Sequence, residues 1–185
     1  MTDISEKRRP LIMISNDDSI NAPGLLRLVD CVRDFGDVIV VAPEAPHSGM
    51  SSAFTVNDAL KINSKPDYNG ARMFTVNGTP VDCIKLGLHA IVPRTPDLVL
   101  AGINHGSNSG NSIIYSGTMG AVLEACMAGI DAVGFSLLHH SMKADFSFSA
   151  PMITEIVADV LREGLTKGVC LNVNIPAKVV PVGIK

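Results

Sequence analysis

Apolar positions come in blocks along this chain, and the blocks change period. Leu11-Ile-Met-Ile-Ser15 is a continuous apolar run of strand length, as expected of a strand buried on both faces. A turn-forming polar cluster, Asn16-Asp-Asp-Ser19, stops it. From Pro23 to Asp34 the spacing is helical, with Leu25, Leu28, Val29 and Val32 on one face and Pro23 in the first turn. Gly36 ends that helix, and Val38-Ile-Val-Val-Ala42 is a second buried strand. A β-α-β opening predicts parallel strands joined by a right-handed crossover.

After a Pro/Gly/Ser-rich loop from Pro43 to Met50 the pattern changes. Phe54-Thr-Val56, Ala59-Leu-Lys-Ile62 and Arg72-Met-Phe-Thr-Val76 read as short strands, a β excursion over about 51–76. Thr79-Pro-Val-Asp82 reads as a helix cap with proline at the first helical position. The helix is expected to reach Ile91, with Val81, Ile84, Leu88 and Ile91 inward. Asp97-Leu-Val-Leu-Ala101 is a strand, Gly102 to Ser116 a loop, and Thr118 to Ala128 a helix. Ala132-Val-Gly-Phe-Ser136 is a strand, His139 to Phe148 fits no pattern, Pro151 to Glu163 is helical, and Val169-Cys-Leu-Asn-Val173 is a last strand. No repeat or internal boundary interrupts this order, so residues 1–185 are expected to form one α/β domain.

Composition narrows the function class. Apolar residues make up 46% and charged residues 18%, with a mean hydropathy of +0.30, which excludes a disordered chain. Fifteen basic against eighteen acidic residues leave a net charge of -3, unsuited to binding a nucleic-acid duplex through its phosphates. No apolar run approaches the ~20 residues of a membrane span. Cys31, Cys83, Cys126 and Cys170 stand in apolar segments with no CxxC pair, so they read as small buried hydrophobes rather than zinc ligands. Met1 to Pro10 is polar and holds no signal-peptide core, and a reducing cytoplasm is the expected compartment.

Chemistry gathers in the loops at the carboxyl ends of the strands, where open parallel sheets bind ligands. Asp17 and Asp18 follow the first strand, His47-Ser48-Gly49 the second, and Asn104 to Ser109 the strand ending at Ala101. Adjacent carboxylates serve a turn as local caps, or they hold a hard cation that relieves their repulsion. Ser48 and Asn104 add neutral oxygens, and convergence of the three loops favours the cation. Gly102, Gly106 and Gly110 do not form a phosphate-binding P-loop or a dinucleotide fingerprint. Ser116-Gly117-Thr118 at a helix start reads equally as an N-cap or as an oxyanion site. His47 and His105 read as a general acid, as groups supporting a ligand, or as loop residues with no role. His89 is expected on a helix surface and His139 and His140 near a rim, while Tyr115 either stacks or packs.

Read in order, a longer set of motifs carries a resemblance. These are Ile14-Ser-Asn-Asp-Asp18, Ala22-Pro-Gly24, Val41-Ala-Pro43, Ser48-Gly49, Asn77-Gly-Thr-Pro80 with Asp82-Cys83, and Pro96-Asp-Leu-Val99. Gly102-Ile-Asn104, Gly106, Asn108, Tyr115-Ser-Gly-Thr118 and Leu171-Asn-Val-Asn-Ile-Pro176 follow. Across residues 11 to 176 the chain resembles the SurE family of metal-dependent 5'-nucleotidases. The resemblance implies a Rossmann-like three-layer α/β fold, with a mostly parallel sheet and a β-hairpin excursion, assembled as a homodimer or homotetramer. It implies hydrolysis of nucleoside 5'-monophosphates, with 3'-nucleotides and short polyphosphate as further substrates. Carried over by position, one divalent cation per subunit, Mg²⁺ or Mn²⁺, is held by Asp17, Asp18, Ser48 and Asn104. Asp17, Asp18 and Asn16 take catalytic roles, and Asn108, Ser116, Gly117 and Thr118 face the phosphate.

The chain departs from the family pattern at Ser19, where glycine is usual, at Ala101, where serine is common, and at Ile113-Ile114, where Asp-Val is usual. Family chains also run well past the motif at Pro176, whereas nine residues follow it here, so the resemblance implies a missing C-terminal extension. The alternative reading is a nucleotide- or phosphate-binding protein of the same fold without efficient turnover.

Overall fold

The structure, a computed structural model, describes residues 8–139 and 144–177. His140, Met1 to Lys7 and the residues after Ala177 lie outside the described part. The first half runs β1 (Leu11–Ser15), α1 (Pro23–Val32), β2 (Asp37–Pro43), β3 (Ile62–Tyr68), β4 (Ala71–Val76) and α2 (Pro80–Leu86), then a π-helical turn over Gly87–Ile91. The second half runs β5 (Leu98–His105), α3 (Ser112–Tyr115), α4 (Gly117–Met127), β6 (Ala132–Leu137), a 3₁₀ turn over Ser147–Ser149, α5 (Ala150–Glu163) and β7 (Leu171–Ile175).

The strands form one sheet in the order β3-β4-β2-β1-β5-β6-β7. Every neighbouring pair is parallel except the β3–β4 hairpin. β1 lies in the middle, and its alternating side chains supply two cores. Ile12 and Ile14 pack with residues of α1 and α5, while Leu11 and Met13 pack with residues of α2 and α4. Helices on both faces explain why the strand sequence is apolar throughout.

Packing rather than capping holds α1. Its N-cap, Ala22, makes no side-chain bond, and a good cap is worth only about 1 kcal/mol. Leu25, Leu28, Val29 and Val32 are fully buried, at roughly 1.5–3 kcal/mol each. α2 carries both devices: the Thr79 side chain accepts from the Asp82 amide, and the Asp82 carboxylate accepts from the Thr79 amide, with Pro80 at the first helical position.

Three segments differ from the sequence expectation. Phe54–Val56 is not a strand, and of Ala59–Ile62 only Ile62 enters one. The hairpin partner of β4 is instead Ile62–Tyr68, an exposed, polar edge strand without apolar alternation. Pairing with β4 and the Asn69-Gly70 turn, both residues at positive φ, place it there. Lys65 and Pro66 on that edge discourage further strand addition. The expected loop from Gly102 to Ser116 begins as strand, because β6 gives β5 partners as far as His105, and it also contains α3. The last strand lies two residues later than expected, over Leu171–Ile175, where it pairs with Val133–Leu137.

Cys31 and Cys83 are buried as expected, and Cys126 and Cys170 are half-buried. Among the described residues no helix is long and apolar enough to cross a membrane.

Candidate active site

The sheet order reverses at β1. The chain leaves β1 for β2 on one side, and β5 flanks it on the other. Loops leaving the carboxyl ends of β1 and β5 therefore part, and a crevice opens between them. A cleft of about 220 Å³ occupies this position, lined by Asp17, Asp18, Ser48, Asn104, Asn108 and Ser116, with His105 and Tyr115 at its wall. Six of the residues singled out from sequence thus meet, from four segments of chain. Two roomier hollows, about 520 and 620 Å³, lie at the amino ends of β1 and β2 and beside the β3–β4 hairpin. In the first, Arg9 and Arg94 are already paired with Asp37 and Asp97. Chemistry, not volume, selects the smaller cleft.

Asp17 is buried, with 4% of its surface exposed. Burial pushes its carboxyl above the ordinary range; the Thr118 hydroxyl, donating to Oδ1 at 2.7 Å, opposes the rise, and the neighbouring Asp18 charge adds to it. The backbone packs tightly beside it. A Cβ on Gly117, the first residue of α4, would lie 2.8 Å from Asp17 Cβ and 3.0 Å from Oδ2. Only glycine lets the start of α4 close on Asp17. Ser116 caps α4 by accepting from the Met119 amide, and the Thr118 amide bonds to Asp17, which leaves the Gly117 amide as a helix-start donor. Of the two expectations for Ser116-Gly117-Thr118, the structure shows the N-cap.

Asn104 reaches the cleft through a bulge. Ala101 pairs with Gly134, but Asn104 pairs with Ser136, so β5 holds one residue more than β6 between these rungs. Without the extra residue, strand alternation would turn Asn104 to the opposite face. Gly102 carries the irregularity at φ +125, where an added Cβ would lie 2.3 Å from the Phe135 carbonyl oxygen. Asn104 Nδ2 donates to the Gly106 carbonyl at 3.0 Å, which leaves Oδ1 as its oxygen toward the cleft.

Asn108 is fixed from both sides. Its Nδ2 donates to Ser136 Oγ at 2.9 Å, its amide donates to Asn174 Oδ1 at 2.9 Å, and its carbonyl accepts from Asn172 Nδ2 at 2.6 Å. Sequence reasoning gave Ser136, Asn172 and Asn174 no role. The signal was present: positions 172 and 174 of a strand share a face, and two amides on one face of a covered sheet need partners.

Of the other candidates Tyr115 borders the cleft, and the rest fall short of it. Asn16 is buried and donates to the Ser19 carbonyl at 2.9 Å, bracing the turn, while its Oδ1 has no partner. Ser19 stands at φ +92, a conformation that glycine takes more cheaply. The Thr118 hydroxyl is spent on Asp17. His47 donates its backbone amide to the Asp17 carbonyl at 2.7 Å. His89 is exposed, as expected of a helix surface. Ile114 and Tyr115 on α3 are 68% and 65% exposed.

The donor set suits a hard cation. It consists of oxygens: two carboxylates, one amide carbonyl and one hydroxyl, with one carboxylate held above its ordinary range by burial. Among the described residues no group of three or more His, Cys, Asp or Glu converges. Four such oxygens would leave a bound cation part of its own hydration, as magnesium prefers.

The family model described as Survival protein SurE matches residues 12–185. The chain belongs to the SurE family. It is 48% identical over 171 residues to the 5'-nucleotidase SurE of Phocaeicola vulgatus and 49% identical over 173 residues to that of Christiangramia forsetii. Each alignment covers 92% of this chain and 66% of the relative, so the chain spans just under two thirds of these curated relatives. The crystal structure of the SurE protein from Aquifex aeolicus superposes with a TM-score of 0.83 at 35% identity, covering 92% of this chain and 68% of that one. The family fold is therefore the fold found here.

Proposed function

We propose that this chain is a metal-dependent phosphomonoesterase that hydrolyses nucleoside 5'-monophosphates, with 3'-nucleotides and short polyphosphate as further substrates. One observation carries the reading: a buried and a half-buried carboxylate meet Asn104 and Ser48 in one cleft, beside the open amino end of α4. Relatives at 48% and 49% identity bear the name 5'-nucleotidase, which supports the substrate class.

Asp17, Asp18, Ser48 and Asn104 are the residues that would hold one divalent cation, Mg²⁺ or Mn²⁺. Bound there, such a cation neutralises the carboxylate pair and polarises the phosphoryl group. The protein supplies the rest. The Gly117 amide and the Ser116 hydroxyl proton, at the positive end of an eleven-residue helix, receive phosphoryl oxygens. Asn108 keeps one amide N–H beyond its bond to Ser136. Asp17 holds Oδ1 through Thr118, so Oδ2 is its reactive oxygen, whether it orients the attacking water or attacks itself. Asn16 serves the site by fixing the turn that carries both carboxylates. We place the working protein in the cytoplasm as a homodimer or homotetramer.

The test is release of phosphate from AMP and GMP with Mn²⁺ or Mg²⁺. Release should stop with EDTA and in Asp17→Asn. Release that survives EDTA, or a fully active Asp17→Asn, refutes the reading. Calorimetry that shows GMP binding with metal but no release makes the chain a binding protein instead.

A further inference from the structure

The mechanism above leaves one buried polar side chain at the cleft unused. His105, the last residue of β5, has a side chain only 6% exposed. Its Nδ1 lies 3.1 Å from Asp18 Oδ2. The other ring nitrogen, Nε2, is buried and finds no partner. The ring stands edge-on to Phe146, centroids 5.1 Å apart at 88°. Phe146 is itself buried.

These contacts select one tautomer. With the proton on Nδ1, the ring donates to a carboxylate and buries a bare acceptor. With the proton on Nε2, a lone pair would face the carboxylate and an N–H would be buried unpaired, the costlier loss. The same contacts remove His105 as an acid for the leaving group, since Nδ1 is committed to Asp18 and Nε2 is shut away from the cleft.

Building on the proposed cation site, we propose that His105 is a positioning residue. It holds Asp18 by Oδ2 so that Oδ1 is left for the cation, and Phe146 holds the ring. Histidine–carboxylate pairs that orient a ligand typically account for 10–100-fold in metal affinity.

The experiment is Mn²⁺ binding to the full chain, followed by electron paramagnetic resonance of free Mn²⁺, with a thermal melt of each variant. H105F keeps the ring and its contact with Phe146 but loses the donor. H105N places an amide N–H where Nδ1 stood; H105Q places one where Nε2 stood. The inference expects H105F and H105Q to bind Mn²⁺ about 10-fold or more weakly, and H105N to stay close to the parent. H105F that binds like the parent overturns it, as does H105N falling with the other two or affinity that merely tracks melting temperature. Should H105F fail to fold, the contrast between H105N and H105Q decides alone. A parent that binds no Mn²⁺ overturns the cation site itself, and this inference with it.

Discussion

Gly117→Ala sets two effects of opposite sign against each other, and the structure says which wins. In a helix, alanine is favoured over glycine by about 1 kcal/mol, and Gly117 opens α4. Helix propensity alone therefore predicts a more stable protein. The added Cβ, however, would sit 2.8 Å from Asp17 Cβ and 3.0 Å from its Oδ2. The nearer atom is one bond from the backbone of a residue 4% exposed, so it has no flexible end to move aside. Overpacking of this kind costs about 1–3 kcal/mol, so a net loss of about 1 kcal/mol is expected, within roughly 0–2. Either Asp17 or the first turn of α4 must shift, and both belong to the proposed site. The expected result is a lower denaturant midpoint together with weaker Mn²⁺ binding and slower phosphate release. A Gly117→Ala protein as stable as the parent, with unchanged Mn²⁺ binding, would show that the approach of α4 to Asp17 does not matter.

Other outcomes follow from single contacts. Ser19→Gly should raise stability by about 0.5–1 kcal/mol, because a left-handed conformation costs a non-glycine residue more than glycine gives back to the unfolded chain; chemical denaturation reads it. Asp82 accepts from the Thr55 amide and hydroxyl and from the Thr79 amide. Burial would raise its carboxyl, but these bonds outweigh it and hold the group below its ordinary value of 3.8. A depressed folded value stabilises above the unfolded value and is lost as pH falls through the folded one. Asp82→Asn should therefore be less stable by about 1.5–3 kcal/mol at pH 7, and the gap should narrow below pH 3.8; a gap independent of pH refutes the assignment. Asn174→Ala frees the Asn108 amide, which should exchange roughly 2–10-fold faster by deuterium-exchange mass spectrometry while β1 stays protected; equal exchange at Asn108 would show that β7 does not hold the loop.

How much could be read in advance differs between elements for physical reasons. β1, β2 and β6 were legible because strands covered on both faces must be apolar throughout, and α1 because four residues on one face enter the core. β3 was not, because an exposed edge strand buries nothing and leaves no pattern; its partner and a two-residue turn define it. The loop after Ala101 hid a strand end for a related reason, since hydrogen bonds from β6 carry β5 on through polar residues. Within the site, Asp17, Asp18, Ser48, Asn104 and Asn108 could be named because polar loops after buried strands stand out, and Ser116 because it stands at a helix start. The Asn108 clamp and the pairing of His105 with Asp18 could not, because they join positions 28 to 87 residues apart.

The sequence by itself determined the alternation of strands and helices, the residues of the core and the family. Those follow from local periodicity, apolar burial and the order of motifs. Tertiary structure decided what each polar residue does. It turned the Thr118 hydroxyl onto Asp17, made Asn16 a brace for the turn, and left His105 one usable nitrogen. A donor or acceptor acquires its role from whatever atom lies within about 3 Å of it, and that atom comes from a distant part of the chain.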